Sequence, residues 1–486
     1  MLTLAFAEIN DAEAVRVNMA PGPCSDFPTP APKLLPIGTQ VMRSLLLAAV
    51  ACLLPTVATP AQELRLVETL TPGTQYHVNC RVELSGKLQP PPGPMVPGPQ
   101  GKAPAPPQPV AITGTSTIEY DERVLPPTAA APQKTIRIYR RVELQRKVGD
   151  EPQESNLRQA VRRLVVARLQ NGKLPFSPDG PLTWNEIDLI RTDIFIPALL
   201  GLLPERPVRI GDRWNASPTA TGELTDLDRV EEGALECRLE EVVNLAGRRH
   251  AKVALAGTVR GVNEDGPTRQ QLDGFYYFDL ETQYLSYLSF KGTHFLLDAA
   301  GKESGRVEGR FVLARQANQR SPDLNDQALR GVVVDPNADN TLLLYDNPDL
   351  GVRLLYPRRW RVGVVQGRQV VLDEAKGSGL LLTFDAANRV PGAAQFLADS
   401  RTYLEKQSGT KVLRTYPPRP VAGSALEQFS IDVEMNGQGQ TMLYYVLRQQ
   451  NGGASLAARL APADLAELQK DVERIARSVT ITAPLK

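Results

Sequence analysis

The sequence predicts an α+β protein: a large curved antiparallel sheet carrying two helices, followed by a smaller antiparallel-sheet domain with helices of its own. Two observations lead there. Long runs alternate apolar and polar residues and are joined by short turn signals, and a few apolar stripes with helical spacing interrupt them. The chain has 486 residues, enough for about three domains at roughly 150 residues each. Hydrophobic residues make up 42% and charged residues 22%, an ordinary globular composition. Lys plus Arg is 55 and Asp plus Glu is 54, a net charge of +1. That balance lacks the basic footprint of a nucleic-acid binder.

The front of the chain reads as an address. Met42-Arg43 is a short positive start, Ser44–Leu54 is an apolar run of 11 residues, and PTVATPA ends at Ala61. That order is a secretory signal peptide over 42–61, cut near Ala61. The run is short of the about 20 residues a membrane helix needs, and no transmembrane span is expected. Residues 1–41, with early acids and a Pro-rich end, read as sequence upstream of a true start at Met42 or as a disordered leader. Cys52 offers a lesser alternative, a lipoprotein anchor, although Ala49 stands where such boxes usually carry Leu. The expected location is secreted or periplasmic, in the cell envelope. Without residues 1–61 the chain keeps 52 basic and 50 acidic groups.

Residues 62–316 form the first expected domain. Tyr76, Val78, Cys80, Val82 and Leu84 alternate, as do Ile136, Ile138, Val142 and Leu144. Further strands are expected around Leu235–Leu239, Ala251–Val259, Leu272–Leu280, Tyr284–Phe290 and Val307–Leu313. A stretch at 88–109 holds 10 prolines in 22 residues and is expected to loop out rather than pair. Leu157, Val161, Leu164 and Val165 follow helical spacing and predict a helix over 157–169. Thr183-Trp184-Asn185-Glu186 is a capping box and predicts a helix over 184–196, ended near Pro197. Residues 317–340, rich in Asn, Asp and Gln, read as a linker.

Residues 341–483 form the second expected domain. Strands are expected at Thr341–Tyr345, Val352–Tyr356, Val370–Leu372 and Leu380–Phe384. A helix near Pro391 carries Phe396, Leu397, Ser400, Tyr403 and Leu404, with Gly409 as its stop. Three strands return over Ala425–Val433, Gln440–Arg448 and Ala454–Arg459. A last helix opens near Pro462 and Asp464, with the stripe Leu465, Leu468, Val472, Ile475 and Val479. This order, with Asn347-Pro348-Asp349-Leu350-Gly351-Val352 and Tyr356-Pro357-Arg358-Arg359-Trp360, resembles the PsbP-like domain family and its YPxxW phrase. The resemblance implies an antiparallel sheet backed by helices and a non-enzymatic binding or assembly role, and offers no catalytic residue. In the first region, the phrase from Leu203 to Trp214 is similar to one in uncharacterised bacterial secreted proteins. By architecture alone, that region also resembles the LolA-like lipoprotein carriers.

No metal set, nucleophile elbow, P-loop or dinucleotide fingerprint is present in the sequence, so neither a cofactor nor a catalytic residue is expected. Cys80 and Cys237 fall on apolar strand faces. Export makes a Cys80–Cys237 disulfide a candidate, against two separate core thiols. Eight aromatics fall in the 21 residues from Phe275 to Phe295. Phe275 and Tyr277 point to one face of their strand, Tyr276 and Phe278 to the other. Together with Tyr287 and Phe290 they are the candidate site for a hydrophobic ligand, against plain packing. Arginines between Arg137 and Arg163 form a basic cluster that reads as a solvated face or an anion-attracting surface. The expected function is an exported non-enzymatic binding or assembly protein with a lipid-like ligand or an unidentified protein partner. The alternatives are a protein–protein adaptor using the PsbP-like domain and the Pro-rich loop, and a hydrolase with a spatially assembled site.

Overall fold

The computed structural model describes residues 63–88, 108–129, 131–169, 172–191, 193–263, 266–298 and 300–485. The expected signal peptide, Cys52 and nearly all of the Pro-rich stretch lie outside them.

The chain is predominantly β, which corrects the α+β expectation. Among the described residues the four α-helices have 7, 8, 14 and 14 residues, too little to balance the sheets. The first sheet has 12 strands. They are β1 Gln75–Leu88, β2 Val110–Val124, β3 Gln133–Val148, β4 Glu151–Asn156, β5 Arg163–Leu169 and β6 Gly172–Phe176. After α1 (Trp184–Ile190) come β7 Arg213–Asn215 and α2 (Pro218–Thr225). Then follow β8 Arg229–Leu245, β9 Arg248–Asn263, β10 Gly266–Asp279, β11 Tyr284–Leu297 and β12 Glu303–Ala317. The order is β6-β5-β3-β2-β1-β12-β11-β10-β9-β8-β7, with β4 against β3. Registers bring Val142, Ile118, Cys80, Leu313, Leu288, Tyr276, Val253 and Leu239 into one row of directly opposed residues. Every member of that row is buried. Alternation along each strand thus becomes a continuous apolar band across eight strands.

The segment 193–203 lies on this band. Tyr120 Oη donates to Ile194 O at 3.2 Å, and Tyr276 Oη and Trp214 Nε1 both donate to Leu202 O at 2.8 Å. The capping box is present: Thr183 Oγ1 accepts from Glu186 N, and Glu186 accepts from Thr183 N. The helix it opens is shorter than expected. It ends at Ile190, and Ile196–Leu202 continues as a 3-10 helix after an extended Phe195.

The expected helix over 157–169 is instead a 3-10 turn and strand β5. Leu164 through Ala167 are buried consecutively because both faces of β5 are covered. Val166 packs with Phe195 and Ala198 on one side. Val165 packs with Leu324 on the other, beside Leu329, Val332 and Val334 of the expected linker. A strand buried on both faces shows no period of two, so its apolar run imitates a helix. Strand β2 escapes sequence reading for the opposite reason: its covered face carries Ser116 and the charged Glu122.

In the second region, β14 Val352–Tyr356 lies between β13 Leu343–Asn347 and the short β22 Thr480–Ile481 and pairs with both. A sheet of seven strands comprises β15 Trp360–Gln366, β16 Gln369–Glu374, β17 Gly379–Asp385, β18 Thr410–Pro420, β19 Leu426–Met435, β20 Gln438–Gln449 and β21 Gly452–Leu460. Helix α3 (Ala393–Lys406) packs Phe396 against Phe429 and Tyr444. Helix α4 (Leu465–Ser478) packs Leu468, Val472 and Ile475 with Leu443 and Tyr445. Tyr444 and Tyr445 are sequence neighbours on a strand, so the two helices cover opposite faces. Tyr403, expected on the packed stripe of α3, is instead 64% exposed. The two regions touch: Leu344 N donates to Leu182 O at 2.8 Å, just ahead of α1.

Candidate functional site

Strands β10 and β11 divide the six candidate aromatics between two environments. Tyr276 and Phe278 are fully buried on the covered face, and Phe290 lies there stacked on Phe311 with ring centroids 5.1 Å apart. Gly274 permits this, because a Cβ at that position would meet the Cβ of Phe290 at 2.6 Å. The space left beside Phe290 and Phe311 is about 10 Å³, room for one water. Phe275, Tyr277 and Tyr287 stand half-buried on the other face, with centroids 5.2 to 5.9 Å apart. Lys252 Nζ lies 5.8 Å from the Phe275 ring. The structure thus brings three of the six together outside and packs the other three within.

Cys80 and Cys237 are both buried and both free. They sit on β1 and β8, with β12, β11, β10 and β9 between them, so the candidate disulfide is not formed. The basic cluster also dissolves on folding. Arg137 is wholly buried, and Arg140 and Arg158 are engaged by Asp121 and Glu186. A bulge in β3 turns both Arg140 and Arg141 outward.

One feature of the structure was not singled out by sequence. It is a cavity of about 330 Å³ where the two regions meet. Strand β6 supplies Lys173, Leu174 and Pro175, and α1 supplies Trp184, Ile187 and Ile190. Asp193, Asp226 and Asp228 line another part. The second region contributes Arg358 and Arg361, from the Tyr-Pro-Arg-Arg-Trp phrase and the strand after it. That phrase is built outward from Trp360, which is fully buried and donates Nε1 to Asp471 Oδ2 at 3.0 Å. Arg359 also pairs with Asp471. Arg358 turns the other way, donating Nε to Thr341 O at 3.0 Å and Nη2 to Pro175 O.

The charges around the cavity are mostly spoken for. Asp193 Oδ2 accepts from Arg137 Nη1 at 2.6 Å and from Tyr139 Oη at 2.5 Å. Arg191 Nη2 lies 3.8 Å from Asp226 Oδ2. Burial works against the Lys173 charge, but Glu223 at 2.8 Å together with Asp193 and Asp226 outweighs it and raises the pKa. Arg358 is the exception. Burial, and then the like charge of Arg361, bring its pKa down to about 10. The readable signal was the pair of adjacent arginines at 358 and 359, but nothing local tells which of them faces inward.

Among the described residues no helix is long and apolar enough to cross a membrane. No family model and no curated protein matches the sequence. Parts of the chain are similar to solved structures. Cyanobacterial PsbP (CyanoP) from Synechocystis sp. PCC 6803 is 15% identical over 29% of this chain and 92% of its own, with a TM-score of 0.23. The Ran-binding protein Mog1p of Saccharomyces cerevisiae is 10% identical over 29% of this chain and 96% of its own, with a TM-score of 0.24. PA94 from Pseudomonas aeruginosa, a protein of unknown function, is 17% identical over 27% of this chain and 91% of its own, with a TM-score of 0.18.

Proposed function

We propose that this chain is an exported, non-enzymatic binding protein of the cell envelope that holds a small ligand in the cavity between its two regions. The observation that carries the reading is the cavity itself. Its volume of about 330 Å³ falls in the range of roughly 300–1,000 Å³ typical of small-molecule sites. Its wall combines apolar side chains such as Trp184, Ile187 and Ile190 with a comparable number of charged ones. A hydrolase is disfavoured because Asp193 is neutralised by Arg137 and Tyr139 and Asp226 faces Arg191. The apolar ligand expected under the aromatic strands is better placed here, since Tyr276, Phe278 and Phe290 fill their own space. Export rests on the signal-like segment 42–61. The second region is read as PsbP-like from its element order and from Tyr356, Pro357 and Trp360, which suits a binding role.

Native mass spectrometry of the chain secreted from Gln62 tests this. A small-molecule adduct is expected, and it should disappear in Ile187→Trp, which fills the cavity. A bare mass, or an adduct indifferent to Ile187→Trp, would remove the reading. A second reading, a protein adaptor, is favoured by the half-exposed Phe275, Tyr277 and Tyr287 on the outer sheet face. It expects a partner lost on replacing all three by alanine, with the adduct unchanged.

A further inference from the structure

Several buried and half-buried cations of this protein pair with carboxylates. Arg137 has Glu122 and Asp193, Arg315 has Glu68, Lys134 has Asp335, and Lys173 and Arg168 share Glu223. Each is matched by a carboxylate, as the cost of desolvating a charge requires. Half-buried Arg358 differs from these. Among the described residues its hydrogen-bond partners are the carbonyl oxygens of Thr341 and Pro175, and no carboxylate pairs with it. Carbonyls orient a guanidinium but leave its charge in place. The like charge of Arg361 makes matters worse: Arg361 lies against the Trp184 ring, 3.8 Å from its centroid, and donates to Arg358 O. Both arginines line the cavity, as do the apolar side chains of Trp184, Ile187 and Leu174.

We infer that the ligand of this cavity is a small amphiphilic anion, a carboxylate, sulfonate or phosphate on an aromatic or aliphatic body, with its charge on Arg358 and its body against Trp184 and Ile187. The inference rests on the proposed binding role and names the ligand class. An anion supplies the neutralising partner that the chain withholds, through a guanidinium whose two carbonyl contacts hold it in place. The burial that lowers the Arg358 pKa to about 10 also leaves less water to compete for that anion.

Two probes with nearly the same rings separate charge from shape. One is the aryl sulfonate 8-anilinonaphthalene-1-sulfonate, the other the uncharged N-phenyl-1-naphthylamine. Each is titrated by fluorescence into the full secreted chain. Saturable binding of both is expected, and Ile187→Trp should abolish both, which locates them in the cavity. Arg358→Met should weaken the sulfonate by about ten- to a hundred-fold, the range for losing a charge-assisted hydrogen bond. It should leave the uncharged probe unchanged, which also shows that the variant folds. Arg358→Lys should restore part of the sulfonate affinity. If Arg358→Met leaves the sulfonate unchanged, or weakens both probes equally, the anion assignment is wrong while the cavity reading stands. If neither probe binds, or Ile187→Trp affects neither, the cavity reading fails and the inference with it.

Discussion

Arg137 and Glu122 face each other directly across β3 and β2, and Arg137 Nε donates to Glu122 Oε1 at 2.8 Å with both side chains wholly buried. The same guanidinium reaches Asp193 and Ile194 O on the segment that covers the sheet. A single buried cation therefore ties the sheet to its cover. Without it, two carboxylates would remain in an apolar interior. Arg137→Met is expected to cost about 3–5 kcal/mol in urea unfolding. Adding Glu122→Leu and Asp193→Leu should recover much of that loss. A cost under about 1 kcal/mol for the single change would show that the network is hydrated.

The two faces of β10 should respond differently to truncation. Phe278→Ala empties a fully buried site and is expected to cost about 3–5 kcal/mol. Tyr276→Phe removes one hydrogen bond, but Trp214 still donates to Leu202 O, so about 0.5–1.5 kcal/mol is expected. Tyr277→Ala on the outer face should cost less than Phe278→Ala. Equal losses at Tyr277 and Phe278 would mean that something else covers the outer face.

His294 makes stability depend on acid. It is 1% exposed, neither ring nitrogen has a hydrogen-bond partner, and burial brings its pKa down from 6.5 to about 4. The unfolded chain therefore binds the proton first. The contribution is whole above pH 6.5 and is lost as pH falls toward about 4, by roughly 3 kcal/mol in all. Unfolding free energies measured from pH 7 to pH 4 should fall, and His294→Leu should flatten that part of the curve. An unchanged slope in the variant would assign the acid sensitivity elsewhere.

The thiols of Cys80 and Cys237 should be silent in the native state. Burial raises the Cys80 thiol well above its ordinary range and pushes Cys237 up to about 12, which removes the reactive thiolate. A colorimetric thiol reagent should label neither residue until denaturant is added, and both thereafter. Reducing agent should leave the melting temperature unchanged. A reagent-silent denatured chain would mean that the thiols had oxidised to a bond.

Sequence alone determined the strands whose one face is covered. Tyr76 to Leu84, Leu235 to Leu239 and Val307 to Leu313 each alternate, because side chains on a strand point to opposite sides and only one side meets the core. It also determined the capping box at Thr183 and Glu186 and the stripe of the last helix from Leu465 to Val479, since both depend on residues a turn or less apart. Only the tertiary structure decided the rest. Strand β5 lost its alternation because residues 324–334 return to cover its second face. Strand β2 carries Glu122 inward because Arg137 waits on the next strand. Arg359 meets Asp471, more than a hundred residues later, while Arg358 meets carbonyls at Pro175 and Thr341 and opens onto the cavity. The physical reason is common to all three. A side chain's environment is set by whatever the fold places opposite it, and in a sheet of long-range pairings that neighbour is seldom near in sequence.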